Sequence, residues 1–184
     1  MRIVAGEMKG RRLIGPHGSK VRPTADKVKE AVFSMIDGRL AGATVVDLFA
    51  GTGGLGLEAI SRGAGVCYFG DASRESIRLV AANIAACGAE GRSVVLHGDF
   101  RETLSRLPGK ADVVFLDPPF EKGLAAQAMQ AIRDSGALSD GGVIVCEHGA
   151  AEALAEEVSG YSRVKLKKYG EVLVALFVEM PGGV

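Results

Sequence analysis

The sequence has no tryptophan, six prolines, three cysteines and no apolar run longer than seven residues. A membrane-spanning helix needs roughly 20 consecutive apolar residues, so none is available. Cys67, Cys87 and Cys146 are an odd, scattered set, which speaks against a disulfide or a metal site and for buried thiols in a reducing compartment. The opening stretch 1–7 meets a charge too early for a signal-peptide core, so the cytoplasm is the expected location. An excess of one charge is also missing, with 22 basic and 22 acidic residues. What is present is ordinary globular composition: 184 residues, 47% hydrophobic and 24% charged, enough for one domain with its own core. The 26 glycines follow no Gly-X-Y period and indicate tight connections rather than a fibre.

The balanced total hides an asymmetry. Residues 1–29 hold eight Lys or Arg against two acids, and the remainder holds 14 against 20. A basic arm on an acidic body fits phosphate backbones as well as it fits a plain solvated terminus. The arm reads as two short strands, near 2–7 and 10–14, followed by a Gly/Pro/His loop. Thr24 is the expected cap of a helix whose apolar face carries Val28, Ala31, Val32 and Met35.

From Ala43 onward strands and helices alternate. Strands are expected at 43–49, 65–70, 92–98, 111–116 and 142–147, with helices at 54–62, 73–87, 100–107 and 122–135. That alternation predicts βαβ units around a largely parallel sheet. A short helix near 150–158 and two paired strands, 161–168 and 171–179, complete the chain.

Asp47-Leu48-Phe49-Ala50-Gly51-Thr52-Gly53-Gly54-Leu55-Gly56 follows the first core strand and opens a helix. Gly51 and Gly53 permit a tight turn and close approach of a ligand's polar tail to a helix N-terminus. With Gly56 they satisfy the dinucleotide fingerprint, and Asp71 stands 20 residues after Gly51, where a ribose contact is expected. Asp47 argues against a nicotinamide dinucleotide, because its carboxylate meets the place where a pyrophosphate would bring like charge. The ammonium tail of S-adenosylmethionine suits it better. Asp71 and Asp99 each end a strand, where open sheets bind ligands, although each serves equally well as a helix cap.

The most specific chemistry is Asp117-Pro118-Pro119-Phe120, directly after the strand 111–116. Two prolines end the ladder and leave carbonyls without local donors. Acceptors from Asp117 and the Pro118 carbonyl, beside the flat face of Phe120, match an exocyclic amine on a nucleobase. Such a site works by alignment and electrostatics, with Asp117 nearest to receive the proton; neither a metal nor a covalent intermediate is required.

The Asp-Pro-Pro-Phe segment resembles the catalytic motif of the S-adenosylmethionine-dependent amino-methyltransferases. The whole chain, including Met1–Gly6, Gly10–Leu13, Arg22-Pro23-Thr24 and Lys168-Tyr169-Gly170, resembles more narrowly the bacterial 16S rRNA guanine-N2 methyltransferase family, RsmD. The resemblance implies an α/β, Rossmann-like class I methyltransferase fold, a seven-stranded, mostly parallel sheet of order 3-2-1-4-5-7-6 with its last strand antiparallel. It implies methylation of one guanine N2 amine in small-subunit rRNA, in an assembled or assembling particle. It places Asp47, Gly51 and Gly53 at the methionine end of S-adenosylmethionine, Asp71 at the ribose, and Asp99 with Phe100 at the adenine. Asp117, Pro118 and Phe120 would handle the target base. The family's usual acid at the second strand end is Glu, so Asp71 has a shorter reach.

The expected organisation is an RNA-contacting arm, 1–22, and a methyltransferase domain, 23–184, acting as a monomer without an obligate protein partner. Arg2, Lys9, Arg11, Arg12, Lys20 and Arg22 are the candidate phosphate contacts. Two other readings stand beside this one: an adenine-N6 methyltransferase, and a non-catalytic RNA-binding or ribosome-assembly protein that retains the fold.

Overall fold

The apolar runs expected as strands join one sheet in the computed structural model, which describes residues 1–16, 23–119, 123–152 and 154–180. In chain order the elements are α1 (Pro23–Met35), β1 (Thr44–Asp47), α2 (Gly54–Ser61), β2 (Val66–Asp71), α3 (Arg74–Cys87), β3 (Ser93–His97) and α4 (Phe100–Ser105). They continue through β4 (Ala111–Leu116), α5 (Leu124–Ser135), β5 (Leu138–Gly149), β6 (Glu157–Val158), β7 (Tyr161–Tyr169) and β8 (Val172–Glu179).

The sheet runs β3-β2-β1-β4-β5-β8-β7-β6. Strands β1 to β5 are parallel, and β8 is inserted antiparallel between β5 and β7. The order is the expected one with an eighth strand added, because β6 pairs Glu157 and Val158 with Ser162 and Tyr161. That pairing replaces the helix expected near 150–158. Ser159 and Gly160 both have positive φ, 51° and 82°, the backbone of a tight hairpin turn that a helix cannot continue through.

Strand alternation divides the core into two layers. Val45, Phe69, Phe115, Val145 and Val174 face α1, α2 and α3, packing with Val32, Phe33, Leu57 and Ile84. Val46, Val114, Leu116, Cys146 and Phe177 face α4 and α5, packing with Leu104, Met129 and Ile132. Among the described residues no helix is long and apolar enough to cross a membrane.

Two local expectations change. The N-terminal strands are reduced to one bridge, Arg2 with Arg12, because Glu58 of α2 takes the N–H groups of Val4 and Ala5 at 2.8 and 2.9 Å. Those donors are spent on a buried carboxylate instead of a ladder. Ile3, Met8 and Leu13 enter the α1–α3 layer, and Asn83 of α3 bonds both the N–H and the carbonyl of Ile14. This segment is therefore bolted to the body. Thr24 lies inside α1 and not before it: Pro23 takes the first helical position, where its missing N–H and fixed φ cost nothing.

Candidate active site

The C-terminal ends of β2, β1, β4 and β5 bring four carboxylates to one rim. Register and alternation decide their grouping. Asp47 pairs with Phe69 and Phe115, so it shares their face, the one covered by α1–α3. Asp71 and Asp117 lie two residues beyond those phenylalanines. Leu116 pairs with Cys146, which places Glu147 of β5 beside Asp117 at the same step. Asp47, Asp71, Asp117 and Glu147 thus converge above the first layer.

Asp47 is 1% exposed. Its Oδ2 accepts the Gly56 N–H at 3.2 Å, and its Oδ1 is buried with no hydrogen-bond partner. Burial pushes its pKa up to about 7; the Gly56 N–H opposes this, while Asp117 and Asp71 reinforce it. The glycine loop lies directly above. Gly51 and Gly53 have φ of 55° and 80°. A Cβ on Gly56 would stand 2.2 Å from the Phe69 ring and 2.6 Å from the Cys67 sulfur, so only glycine lets α2 sit this close to β2. Asp71 braces the loop: its Oδ2 accepts from Gly51 N–H at 2.9 Å and its Oδ1 from Ser73 N–H at 2.8 Å. Each oxygen keeps a second lone pair for a ribose hydroxyl.

Asp99 caps α4, its Oδ1 accepting from the Arg101 and Glu102 N–H groups in a full capping box. The cap uses one carboxylate oxygen and leaves the other for a ligand amine. Phe100 is mostly core, 5% exposed, with its ring 5.8 Å from Phe49 and the Arg101 guanidinium 4.5 Å from its centroid.

Asp117 is the first residue beyond β4, followed by buried Pro118. Desolvation raises the Asp117 pKa to about 6, although the residue opens to solvent at the rim, which limits the rise. Phe120 lies outside the described residues, as do Lys20 and Arg22.

Glu147 is the residue the sequence reading missed. It is half-buried, and its pKa is raised well above the ordinary range by burial and by Asp117 and Asp47, with Lys29 opposing. The signal was available: like Asp71, it is an acid closing an apolar strand. His148, next in the chain, is buried with Nε2 unpartnered and falls on the opposite side of the strand. Among the described residues no three His, Cys, Asp or Glu side chains form a metal set. A recess of about 270 Å³ lined by Arg39, Gly42, Asp112 and Ser139 lies at the other end of the strands, away from this chemistry.

Of the candidate RNA contacts, Arg2, Lys9, Arg11 and Arg12 are exposed on the bolted segment. Arg2 and Arg12 face each other across the bridge; Arg2 also pairs with Asp26 at 3.1 Å, and Arg11 donates to the Ala86 carbonyl at 3.1 Å.

The site suits S-adenosylmethionine. A buried carboxylate oxygen without a partner sits beneath a glycine loop, as an ammonium tail requires, and acids stand at the next two strand ends for hydroxyls and an amine. Fold and rim together define a class I methyltransferase with S-adenosylmethionine as its cofactor. A family model described as Conserved hypothetical protein 95 matches residues 1–178. The chain is 34% identical over 180 residues to the Bacillus subtilis protein YlbH, covering 96% of this chain and 98% of that one. It is 31% identical over 177 residues to Ribosomal RNA small subunit methyltransferase D of Escherichia coli, covering 96% and 89%. The solved structure of the Escherichia coli protein yhhF superposes with a TM-score of 0.86 at 31% identity, covering 97% of each chain. The protein belongs to this family, the RsmD-like 16S rRNA methyltransferases.

Proposed function

We propose that this protein methylates the exocyclic N2 amine of one guanine in 16S rRNA, within an assembled or assembling small ribosomal subunit, as a cytoplasmic monomer. The observation that carries the reading is Asp117-Pro118 at the end of β4, adjacent to the strand that holds Asp47. In support, curated relatives of similar length are named for small-subunit rRNA methylation, and the four described arm cations stay exposed.

Bound S-adenosylmethionine supplies an electrophilic methyl group. Asp47 and the glycine loop hold its methionine end, Asp71 its ribose, and Asp99 with Phe100 its adenine. The target base enters from the rim. Asp117 accepts one amine hydrogen and the Pro118 carbonyl the other, turning the nitrogen lone pair away from the ring and toward the methyl; Phe120 stacks on the base. Methylation, in which the amine displaces the methyl group from sulfur and the bonding pair leaves on the neutral thioether, would leave an extra proton on the nitrogen, and Asp117 is the group that would receive it. Alignment of amine and methyl supplies most of the rate. Residues 1–22 contact RNA phosphates, and residues 23–184 form the methyltransferase domain.

Complementation tests the reading. Expression in bacteria lacking their own guanine-N2 enzyme of this family restores N2-methylguanosine to 16S rRNA, detected by mass spectrometry of nucleosides. Methyl groups appearing on adenosine would replace the guanine assignment with adenine-N6 chemistry.

A further inference from the structure

Strand β7 reverses the charge of the body around it. Residues 30–184 are net acidic, yet Tyr161–Tyr169 hold Arg163, Lys165, Lys167 and Lys168 and no acid. Arg163 is occupied, bonding the Leu154 carbonyl at 3.0 Å and pairing with Glu156. The three lysines are exposed, and among the described residues none is in an ion pair; Lys167 only donates to the Ser34 hydroxyl of α1 at 3.2 Å. They stand on an open edge, since β6 covers only Tyr161 and Ser162. Val164 and Leu166 beside them are 51% and 44% exposed.

Charged edges guard sheets against pairing with other chains. That role accounts for charge on an edge but not for three unpaired charges of one sign in an acid-rich body. Their location supplies the second argument. Lys165 and Lys167 pair with Leu176 and Val174, so they share the α1 face, while Lys168 takes the other. On the far flank of α1, Lys29 donates to the Arg2 carbonyl at 2.8 Å. The basic N-terminal segment and β7 therefore flank one helix, about 10 Å across. β7 climbs toward the site: its turn, through Glu171, accepts the Ala150 N–H at 2.9 Å, just past Glu147. Three strand spacings, about 14 Å, separate β7 from β4 and Asp117.

We propose that Lys165, Lys167 and Lys168 form a phosphate-binding track for RNA along the open edge of β7, the first two on the α1 side opposite the N-terminal segment and Lys168 reached from the edge itself. A base held at Asp117 brings its neighbouring phosphates over these lysines. The track fixes the position of the RNA and does not select the base. The inference rests on the proposed rRNA substrate.

The test uses the full chain and small ribosomal subunits lacking the modification, with association measured across a tenfold range of salt. Replacing the lysines together (Lys165→Gln, Lys167→Gln, Lys168→Gln) reduces the log–log salt slope by about 2, at roughly 0.7 per contact, and weakens binding about 10- to 100-fold at the low-salt end. Affinity for S-adenosylmethionine stays unchanged, and the loss appears in KM for subunits. The charge-reversed set (Lys165→Glu, Lys167→Glu, Lys168→Glu) keeps the edge guarded and binds more weakly still. A native slope and affinity in either set overturns the track and leaves the proposed function standing. A wild-type protein that methylates subunits with no salt dependence also overturns the track alone; one that neither binds nor methylates them overturns the rRNA reading with it.

Discussion

Replacing Asp47 with Asn separates the cost of a buried charge from its use. Asp47 is 1% exposed, one of its oxygens has no partner, and its pKa stands at about 7 instead of the ordinary 3.8. That rise corresponds to about 4 kcal/mol of destabilisation once the group is ionised, an upper bound because the surroundings relax. The sign follows from proton binding. Between about pH 4 and 7 the folded protein holds this proton and the unfolded chain does not, so this group's effect favours folding more as pH falls through 7 toward 4. Asn keeps an oxygen for the Gly56 N–H and carries no charge. Without added cofactor, Asp47→Asn should therefore be more stable than wild type at pH 8, by about 1–4 kcal/mol, and the advantage should fade near pH 4. The same substitution removes the anion that meets the ammonium tail, weakening S-adenosylmethionine binding by about 2–4 kcal/mol, or roughly 30- to 1000-fold. Urea unfolding at several pH values and calorimetric titration with the cofactor measure both effects. A variant that is less stable at pH 8, or that binds the cofactor as tightly as wild type, would refute the reasoning.

Four further outcomes follow from the structure. Asp117→Ala should lower single-turnover methyl transfer about 10²- to 10⁴-fold while leaving cofactor affinity within a few-fold, as labelled transfer and calorimetry would show. Because Asp117 must be ionised to accept the amine hydrogen, the rate should fall as pH drops below a midpoint at or under about 6. Burial and the Asp117 charge favour the protonated Glu147 carboxyl, so Glu147→Gln, which keeps a neutral side chain there, should leave that acid limb in place, and a limb displaced to lower pH would show that Glu147 ionises beside Asp117. Glu58→Ala should cost about 3–5 kcal/mol in urea unfolding, since it strands the buried Lys29 ammonium, which lies 3.6 Å away, and frees the Val4 and Ala5 N–H groups. A loss under about 1 kcal/mol would show that the N-terminal segment is held by its apolar side chains alone.

The central strands and their carboxylates were legible because one rule covers them: an apolar run closed by an acid, then a helix. Asp47, Asp71, Asp99 and Asp117 all obey it. Glu147 has the apolar run and the acid but no helix after it, and its meaning depends on β4 and β5 pairing Leu116 with Cys146, a register between distant segments that is not written in either one. Glu58 shows the opposite difficulty. It is the one charged residue of α2, among apolar and small side chains, and only the return of the N-terminal segment shows its use, which is to take the Val4 and Ala5 N–H groups beside Lys29 and Arg62. Residues 150–158 misled because helix propensity there yields to the tight turn at Ser159-Gly160. Phe100 stands between these cases: an aromatic after a rim acid can wall a ligand or fill a core, and here most of its ring is core.

The central claim is that Asp117 presents a guanine amine for methylation. Purified protein, labelled S-adenosylmethionine and small ribosomal subunits lacking the modification test it directly, with product nucleosides identified by mass spectrometry. The account predicts label in N2-methylguanosine of 16S rRNA and its loss in Asp117→Ala. Label in adenosine, or undiminished transfer by the variant, would contradict it.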